Sequence, residues 1–247
     1  LKAAPQAQLR LLDLQELDAS LDRLAHRRRT LPELAEIERL EGRLTELRDA
    51  IVAAETEAGD LQREQKKAEQ DVEQVRARAD RDQKRLDSGQ VSSAKDLGNL
   101  QAEIESLQRR QSDLEEVVLE IMERSEEAEG RVSALRADQS AAQDEMAGLV
   151  ERRDAARREI DDEAGTTSAA RTAVAKDVPE DLLALYEKLR GQFGGVGAAK
   201  LFRGACQGCH LALNTVDLNN IRAAAGDEVV RCEECRRILI RTPESGL

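Results

Sequence analysis

Four cysteines stand in this chain of 247 residues, in two C-x-x-C pairs: Cys206 with Cys209, and Cys232 with Cys235, with 22 residues between the pairs. A cysteine thiolate can serve as a nucleophile, a redox partner or a soft metal ligand. Two C-x-x-C knuckles at this separation match a four-thiolate structural zinc site. Each short pair lets a tight turn aim two sulfurs at one ion, while amides in the turn donate to those sulfurs and damp their charge. One structural Zn2+ is therefore expected, held by Cys206, Cys209, Cys232 and Cys235, with Gly208 placed where the turn calls for a positive backbone angle. Two alternatives use the same residues. Redox C-x-x-C motifs sit at helix starts in a βαβ context, which this stretch does not offer. A four-iron four-sulfur cluster takes similar ligands, but two symmetrical pairs on a ribbon favour zinc. His210 follows Cys209 directly; four thiols already complete a tetrahedron, so it reads as a surface residue. With no open position, such an ion does not activate water.

The elements around the knuckles are expected to be short strands at 211–216, 228–231 and 237–241, with a turn or short helix in "VDLNNIRAA". The apolar content from Ala198 onward is small, so metal binding should supply much of the folding free energy there. Seven basic and six acidic residues lie in that stretch, against a net charge of −12 for the whole chain. Arg231, Arg236, Arg237 and Arg241 are the candidate nucleic-acid contacts, because phosphate affinity needs several cations side by side. Phe193 and Phe202 are the nearby aromatics, which leaves little for base stacking.

What precedes the ribbon has a different character. Charged residues make up 36% of the chain, with two Phe, one Tyr and no Trp. Leu, Ala, Glu, Arg and Gln dominate, which points to long helices and coiled coil rather than an ordinary globule. A first helix is expected from Leu9 to about Arg29, with a break at 30–33 where Thr30 to Glu33 resembles a capping box around Pro32. A heptad seam then runs Ile37, Leu40, Leu44, Leu47, Ile51, Ala54, Ala58, Leu61, Gln65, Ala68, Val72, Val75, Ala79, Asp82, Leu86. At 1.5 Å per residue this helix is roughly 75 Å long. Asp87, Ser88 and Gly89 stop it, and Ser93 to Asp96 reads as the next cap.

The seam resumes at Leu97 and continues through Leu100, Ile104, Leu107, Gln111, Leu114, Val118, Ile121, Ser125 and onward to Ile160. Two long heptad segments joined by a short turn fold back most simply as an antiparallel hairpin; a parallel dimer is the competing arrangement. The exposed turn makes Lys84, Arg85, Asp87, Gln90, Val91 and Lys95 candidate docking residues at the hairpin tip.

Asp177 reads as the cap of a short helix beginning near Pro179, with Leu182, Leu185, Tyr186 and Leu189 on one side. The glycines of "GQFGGVGAAKLFRG" indicate either a linker or a close backbone approach. The expected organisation is a helical coiled-coil hairpin at 1–175, a short helix with a glycine-rich linker at 176–197, and a C4 zinc ribbon at 198–247: mainly α, with a small β-containing end. No apolar run approaches the 18 or so residues of a membrane span, and no signal segment opens the chain. It begins at Leu1 rather than methionine, so a few native residues are expected to precede it. Reduced or metal-bound cysteines suit the cytoplasm.

Three stretches, "KRLDSGQVSSAKDLGNLQAEIESLQRRQSDLEE", "CQGCHLAL" and "VVRCEECRRILI", together with Pro179 to Tyr186, carry a family likeness. The chain resembles the bacterial C4-type zinc-ribbon proteins with an N-terminal coiled-coil hairpin, a group once termed a domain of unknown function and associated with nucleic-acid binding. The resemblance implies metal ligation by the same four cysteines. One branch similar to this family acts in flagellar biogenesis, contacting a sigma factor and messenger RNA. Arg236 departs from the pattern, since the family commonly has glycine after the last cysteine.

No phosphate-cradling loop or nucleophile–base arrangement emerges, so an enzyme is not expected. The reading is a non-enzymatic interaction protein, an adaptor or scaffold with a protein partner and no membrane, monomeric or weakly dimeric. The alternative is a regulatory protein that contacts RNA or DNA through its ribbon.

Overall fold

The computed structural model describes residues 1–91 and 93–247. Two very long helices dominate: α2 (Pro32–Asp87) and α3 (Ala94–Ala175). They follow a 25-residue helix, α1 (Pro5–Arg29). The chain divides into two compact units, one formed by Ala35–Leu149 and the other by Leu1–Leu34 with Val150–Leu247.

Within the first of these units, the seam positions of α2 and α3 are all buried or half-buried, while most positions between them are exposed. The two helices pair antiparallel. Arg136 Nη2 donates to Glu55 Oε1 at 2.6 Å, Arg131 to Glu57 at 2.8 Å, and Gln62 to Glu129 at 2.8 Å, while Arg78 pairs with Glu103 closer to the turn. Ala58, Leu61 and Ala128 form a buried cluster with Val132 packed against it. Small alanines there let the helices approach closely. The intramolecular hairpin is thus the arrangement found. Gly89 adopts a left-handed backbone (φ 66°) after α2 ends, a conformation that costs glycine little. Of the turn stretch, Ser92 lies outside the described residues.

In the second unit α1 runs antiparallel to the end of α3. Leu24 and Leu31 pack with Ile160, and Arg28 pairs with Asp161 at 2.9 Å. Pro5 starts α1, where its missing N–H is no loss. Thr30 closes α1 rather than opening α2: its hydroxyl donates to the His26 carbonyl at 3.0 Å. The expected capping box at Thr30 is therefore not the device used. Nor does Asp177 cap α4 (Glu180–Gln192). Pro179 occupies the cap position without a side-chain bond, and Asp177 lies 3.7 Å from Arg10 instead.

A four-stranded sheet completes this unit, in the order β2-β1-β4-β3. Its strands are β1 (Ala198–Phe202), β2 (Ala205–Cys206), β3 (Val230–Arg231) and β4 (Ile238–Ile240). β1 pairs parallel with β4, and the other pairings are antiparallel. The stretch 211–216 is not a strand; it contributes an isolated bridge from Ala212 to Ala205 and then enters α5 (Thr215–Ala223). The glycine-rich segment resolves as close approach. A Cβ on Gly197 would sit 2.6 Å from the Tyr186 carbonyl oxygen, and the following residues form the inner strand β1.

Three consecutive residues of β4 are fully buried because the sheet has apolar partners on both faces. Ile238 and Ile240 join Leu11, Leu14, Leu182, Tyr186 and Leu189 of α1 and α4. Leu239 turns the other way, toward Leu201, Leu213, Ile221 and the cysteines. The ribbon is therefore not coreless, as its own composition suggests; it borrows a core from α1 and α4. For the same reason the compact units cut across the segments 1–175, 176–197 and 198–247 drawn from the sequence.

Candidate metal centre

The two cysteine pairs sit in turns built to one pattern. In the first, the Cys206 N–H donates to the Leu211 carbonyl at 3.0 Å and the His210 N–H donates back to the Cys206 carbonyl at 2.7 Å. In the second, Cys232 donates to Arg237 at 2.9 Å and Arg236 donates to Cys232 at 2.8 Å. The residue after each pair takes the left-handed conformation: φ is 62° at His210 and 63° at Arg236. Arg236 thus adopts the backbone that a glycine would take there. Gly208 serves a different end from the one its position suggests. A Cβ on it would meet Arg237 Cδ at 2.8 Å and Ala199 Cβ at 3.0 Å, so it permits close packing.

These turns bring the four sulfurs together. Cys206 and Cys235 Sγ are 3.8 Å apart, Cys209 and Cys232 Sγ 3.9 Å, and all four lie within 4.8 Å of one another. Four sulfurs each about 2.3 Å from a tetrahedral zinc would be separated by about 3.8 Å. The cluster is geometrically compatible with a single structural Zn2+. The Gly208 N–H points at Cys206 Sγ from 3.4 Å, as a thiolate-stabilising amide should. Cys206 and Cys232 are buried, Cys209 and Cys235 half-buried, and His210 is exposed. Burial pushes the Cys206 thiol up to about 12, against the lowering effect of the Cys209 and Gly208 amides, and it raises Cys232 as well. Burial opposes ionisation of Cys235 too, but the backbone and side chain of Arg237, with neighbouring thiols, bring it down to about 7.

The four arginines assigned to nucleic acid divide into two kinds. Arg237 donates to the carbonyls of Val196 (3.0 Å) and Phe193 (2.9 Å), and its guanidinium lies 5.4 Å from the Phe193 ring centroid. Arg241 donates to the carbonyls of Ile221, Ala224, Ala225, Gly226 and Glu228, gathering the end of α5 and the chain after it. Both are structural. Arg231 and Arg236 are exposed; the first donates to the Arg236 carbonyl at 2.8 Å, the second pairs with Glu233 at 3.1 Å. The gathering of all four on one free face is not what the structure contains. At the hairpin turn, Lys84, Arg85, Asp87, Gln90 and Lys95 are exposed and Val91 is half-buried.

Residues 14–194 match the CT398-like coiled coil hairpin domain. This chain belongs to that family. Residues 205–239 match the C4-type zinc ribbon domain, which spans both knuckles. An uncharacterized protein of Mycobacterium tuberculosis is 40% identical over 98% of each chain. A solved Mycobacterium smegmatis structure is 36% identical, covering 98% of this chain and all of that one, with a TM-score of 0.84. CT398 from Chlamydia trachomatis shares the fold at 22% identity, with a TM-score of 0.70 over 96% of this chain and 98% of that one. Both matched domains of this CT398-like chain are structural and non-catalytic, in agreement with a non-enzymatic protein. Among the described residues, no helix is long and apolar enough to cross a membrane.

The polar network around Asp18 escaped sequence reading. Asp18 is 1% exposed within α1 and takes bonds from Tyr186 and Arg171. The signal available was an acid in line with Leu11, Leu14, Leu21 and Leu24, which sequence alone presents as a wet position.

Proposed function

We propose that this chain is a non-enzymatic adaptor or scaffold, in which Cys206, Cys209, Cys232 and Cys235 ligate one Zn2+ that fixes the ribbon against α1 and α4. Its task is to hold docking surfaces for a protein partner in the cytoplasm, as a monomer or weak dimer. The observation that supports this reading is how the ribbon's arginines are used. Arg237 and Arg241 direct their donors at backbone carbonyls, so the cationic face that phosphate binding needs is reduced to scattered exposed groups. The hairpin turn, with Lys84, Arg85, Asp87, Gln90, Val91 and Lys95, offers one docking place that the seam does not require. Affinity capture with nuclease treatment tests the reading: partners that survive RNase and DNase support it, and a capture emptied by nuclease defeats it.

A second reading has its own observation. Lys200 and Arg203 lie 5.5 and 5.1 Å from the Phe202 ring centroid, and Arg231 and Arg236 are exposed on the same small domain. Contact of these groups with RNA or DNA would show as an association with purified nucleic acid that falls steeply with salt.

A further inference from the structure

On α3 of the hairpin, Leu119 is 60% and Met122 37% exposed, although neither belongs to the seam. Leu119 borders a groove of about 290 Å³ between α2 and α3, lined also by Val72, Val118, Glu69 and Glu115. Leu119 lies outside the seam and is left mostly in solvent, so pairing of the helices does not account for it.

On α3 the charge around these side chains is one-sided, and on α2 the charged residue that lines the groove is Glu69. From Asp113 to Glu129 there are eight acidic residues and one basic residue. Glu115, Glu116 and Glu123 stand three or four places from Leu119, and Glu126 stands four from Met122, which makes them neighbours on the helix surface. Elsewhere on the hairpin, Glu55, Glu57, Glu103 and Glu145 pair with arginines of the opposite helix. Among the described residues, Glu115, Glu116, Glu123 and Glu126 have no cation within 4 Å. Glu115 accepts a hydrogen bond from Gln111 Nε2 at 2.8 Å, but among the described residues no ion pair offsets these charges.

We propose that this acid-rimmed apolar groove docks a basic amphipathic helix of a partner protein. The proposal rests on the adaptor reading and gives that adaptor a second, specific surface away from the hairpin turn. A groove between two antiparallel helices accepts a third helix along its length, with apolar anchors at i, i+3 or i+4, and i+7. Leu119, Met122, Val72 and Val118 meet those anchors, and lysines or arginines beside them meet the glutamates. Charge excludes the other occupants. Nucleic acid would be repelled, and a second copy presenting the same groove would bring glutamate against glutamate.

The test uses the full chain and a labelled synthetic peptide of about five helical turns, carrying one leucine stripe flanked by lysines. A second peptide has the same stripe with glutamates in place of the lysines. Two variants are compared with the wild type, Leu119→Ser/Met122→Ser and Glu115→Lys/Glu126→Lys. All four positions lie outside the seam, and thermal melts serve as the control for folding of each variant.

The expected result is binding of the basic peptide only, weakened about tenfold or more in both variants, as loss of a central anchor or its charge partner does. Failure of the wild type to bind, equal binding by the variants, or equal binding of the acidic peptide would overturn the proposal. So would a dimer that the first variant dissolves. If the peptide does not bind while nuclease-resistant partners are still captured, the groove assignment fails and the adaptor reading stands.

Discussion

The hydroxyl of Tyr186 on α4 donates to the Asp18 carboxylate on α1 at 2.6 Å, and both side chains are almost wholly withdrawn from solvent. Arg171 near the end of α3 reaches the same carboxylate at 2.6 Å, and Arg190 stands 3.5 Å away. A buried charge on α1 is thus satisfied from two other helices, α3 and α4. Removing one partner of such a group costs more than the bond's net worth, because the remainder stays buried. Tyr186→Phe is expected to cost about 1–3 kcal/mol and Asp18→Ala about 3–5 kcal/mol, read from denaturant unfolding.

The same contact makes stability fall at alkaline pH. Burial, then the bond to Asp18, raise the Tyr186 phenol well above its ordinary value of 10.0. Its contribution is complete below that ordinary value and is lost as pH climbs toward the folded-state value, because the unfolded chain ionises first. Wild-type stability should therefore decline above pH 10 more steeply than that of Tyr186→Phe. Parallel curves would show that the phenol is not held in its neutral form.

Much of this architecture was legible in the sequence, for identifiable reasons. The seam from Ile37 to Leu86 and onward from Leu97 repeats so often that occasional flaws such as Gln65 or Gln111 do not hide it. Two C-x-x-C pairs announce themselves by spacing alone. β1 was hidden because "AAKLF" follows glycines and is short, and its burial comes from neighbours distant in the chain. Asp18 was hidden because a carboxylate in an apolar line signals exposure unless its partners, here 153 and 168 residues away, are known. Arg237 and Arg241 read as surface charge because composition does not reveal which arginines face carbonyls.

Metal removal should act unevenly within the ribbon. The cysteine side of the sheet depends on Cys206, Cys232 and a few apolar groups, whereas Ala198, Ile238 and Ile240 are held by α1 and α4. After chelation, or in Cys232→Ser, amide hydrogen exchange should accelerate across 205–236 while 198–202 and 238–240 keep part of their protection. Uniform loss would mean that the metal alone organises the sheet. Because Cys206 and Cys232 have raised thiol values, zinc uptake near pH 7 should release roughly two or more protons per ion, and affinity should fall as pH is lowered.

Arg241 is expected to be irreplaceable by lysine. Its planar fork reaches carbonyls from Ile221 to Glu228 at 2.7–3.4 Å, whereas an ammonium is a compact donor on a flexible stem. Arg241→Lys should therefore cost about 1–3 kcal/mol by leaving carbonyls at the end of α5 under-satisfied. If the residue served mainly as a cation for phosphate, lysine would preserve stability and the variant would melt with the wild type.

Arg236 offers the sharpest separation of backbone from side chain. It holds a left-handed backbone with φ 63°, and its guanidinium makes an exposed pair with Glu233 that contributes little. L-residues other than glycine pay roughly 1–2 kcal/mol for that conformation, and β-branched ones are the worst suited. Arg236→Gly should leave stability and zinc stoichiometry close to wild type, since relief of the backbone offsets the greater freedom of the unfolded chain. Arg236→Val should lower the melting temperature and weaken zinc retention against a competing chelator, because it strains the turn that aims Cys232 and Cys235. Should both substitutions weaken zinc retention equally, the guanidinium rather than the backbone would be what the second knuckle requires.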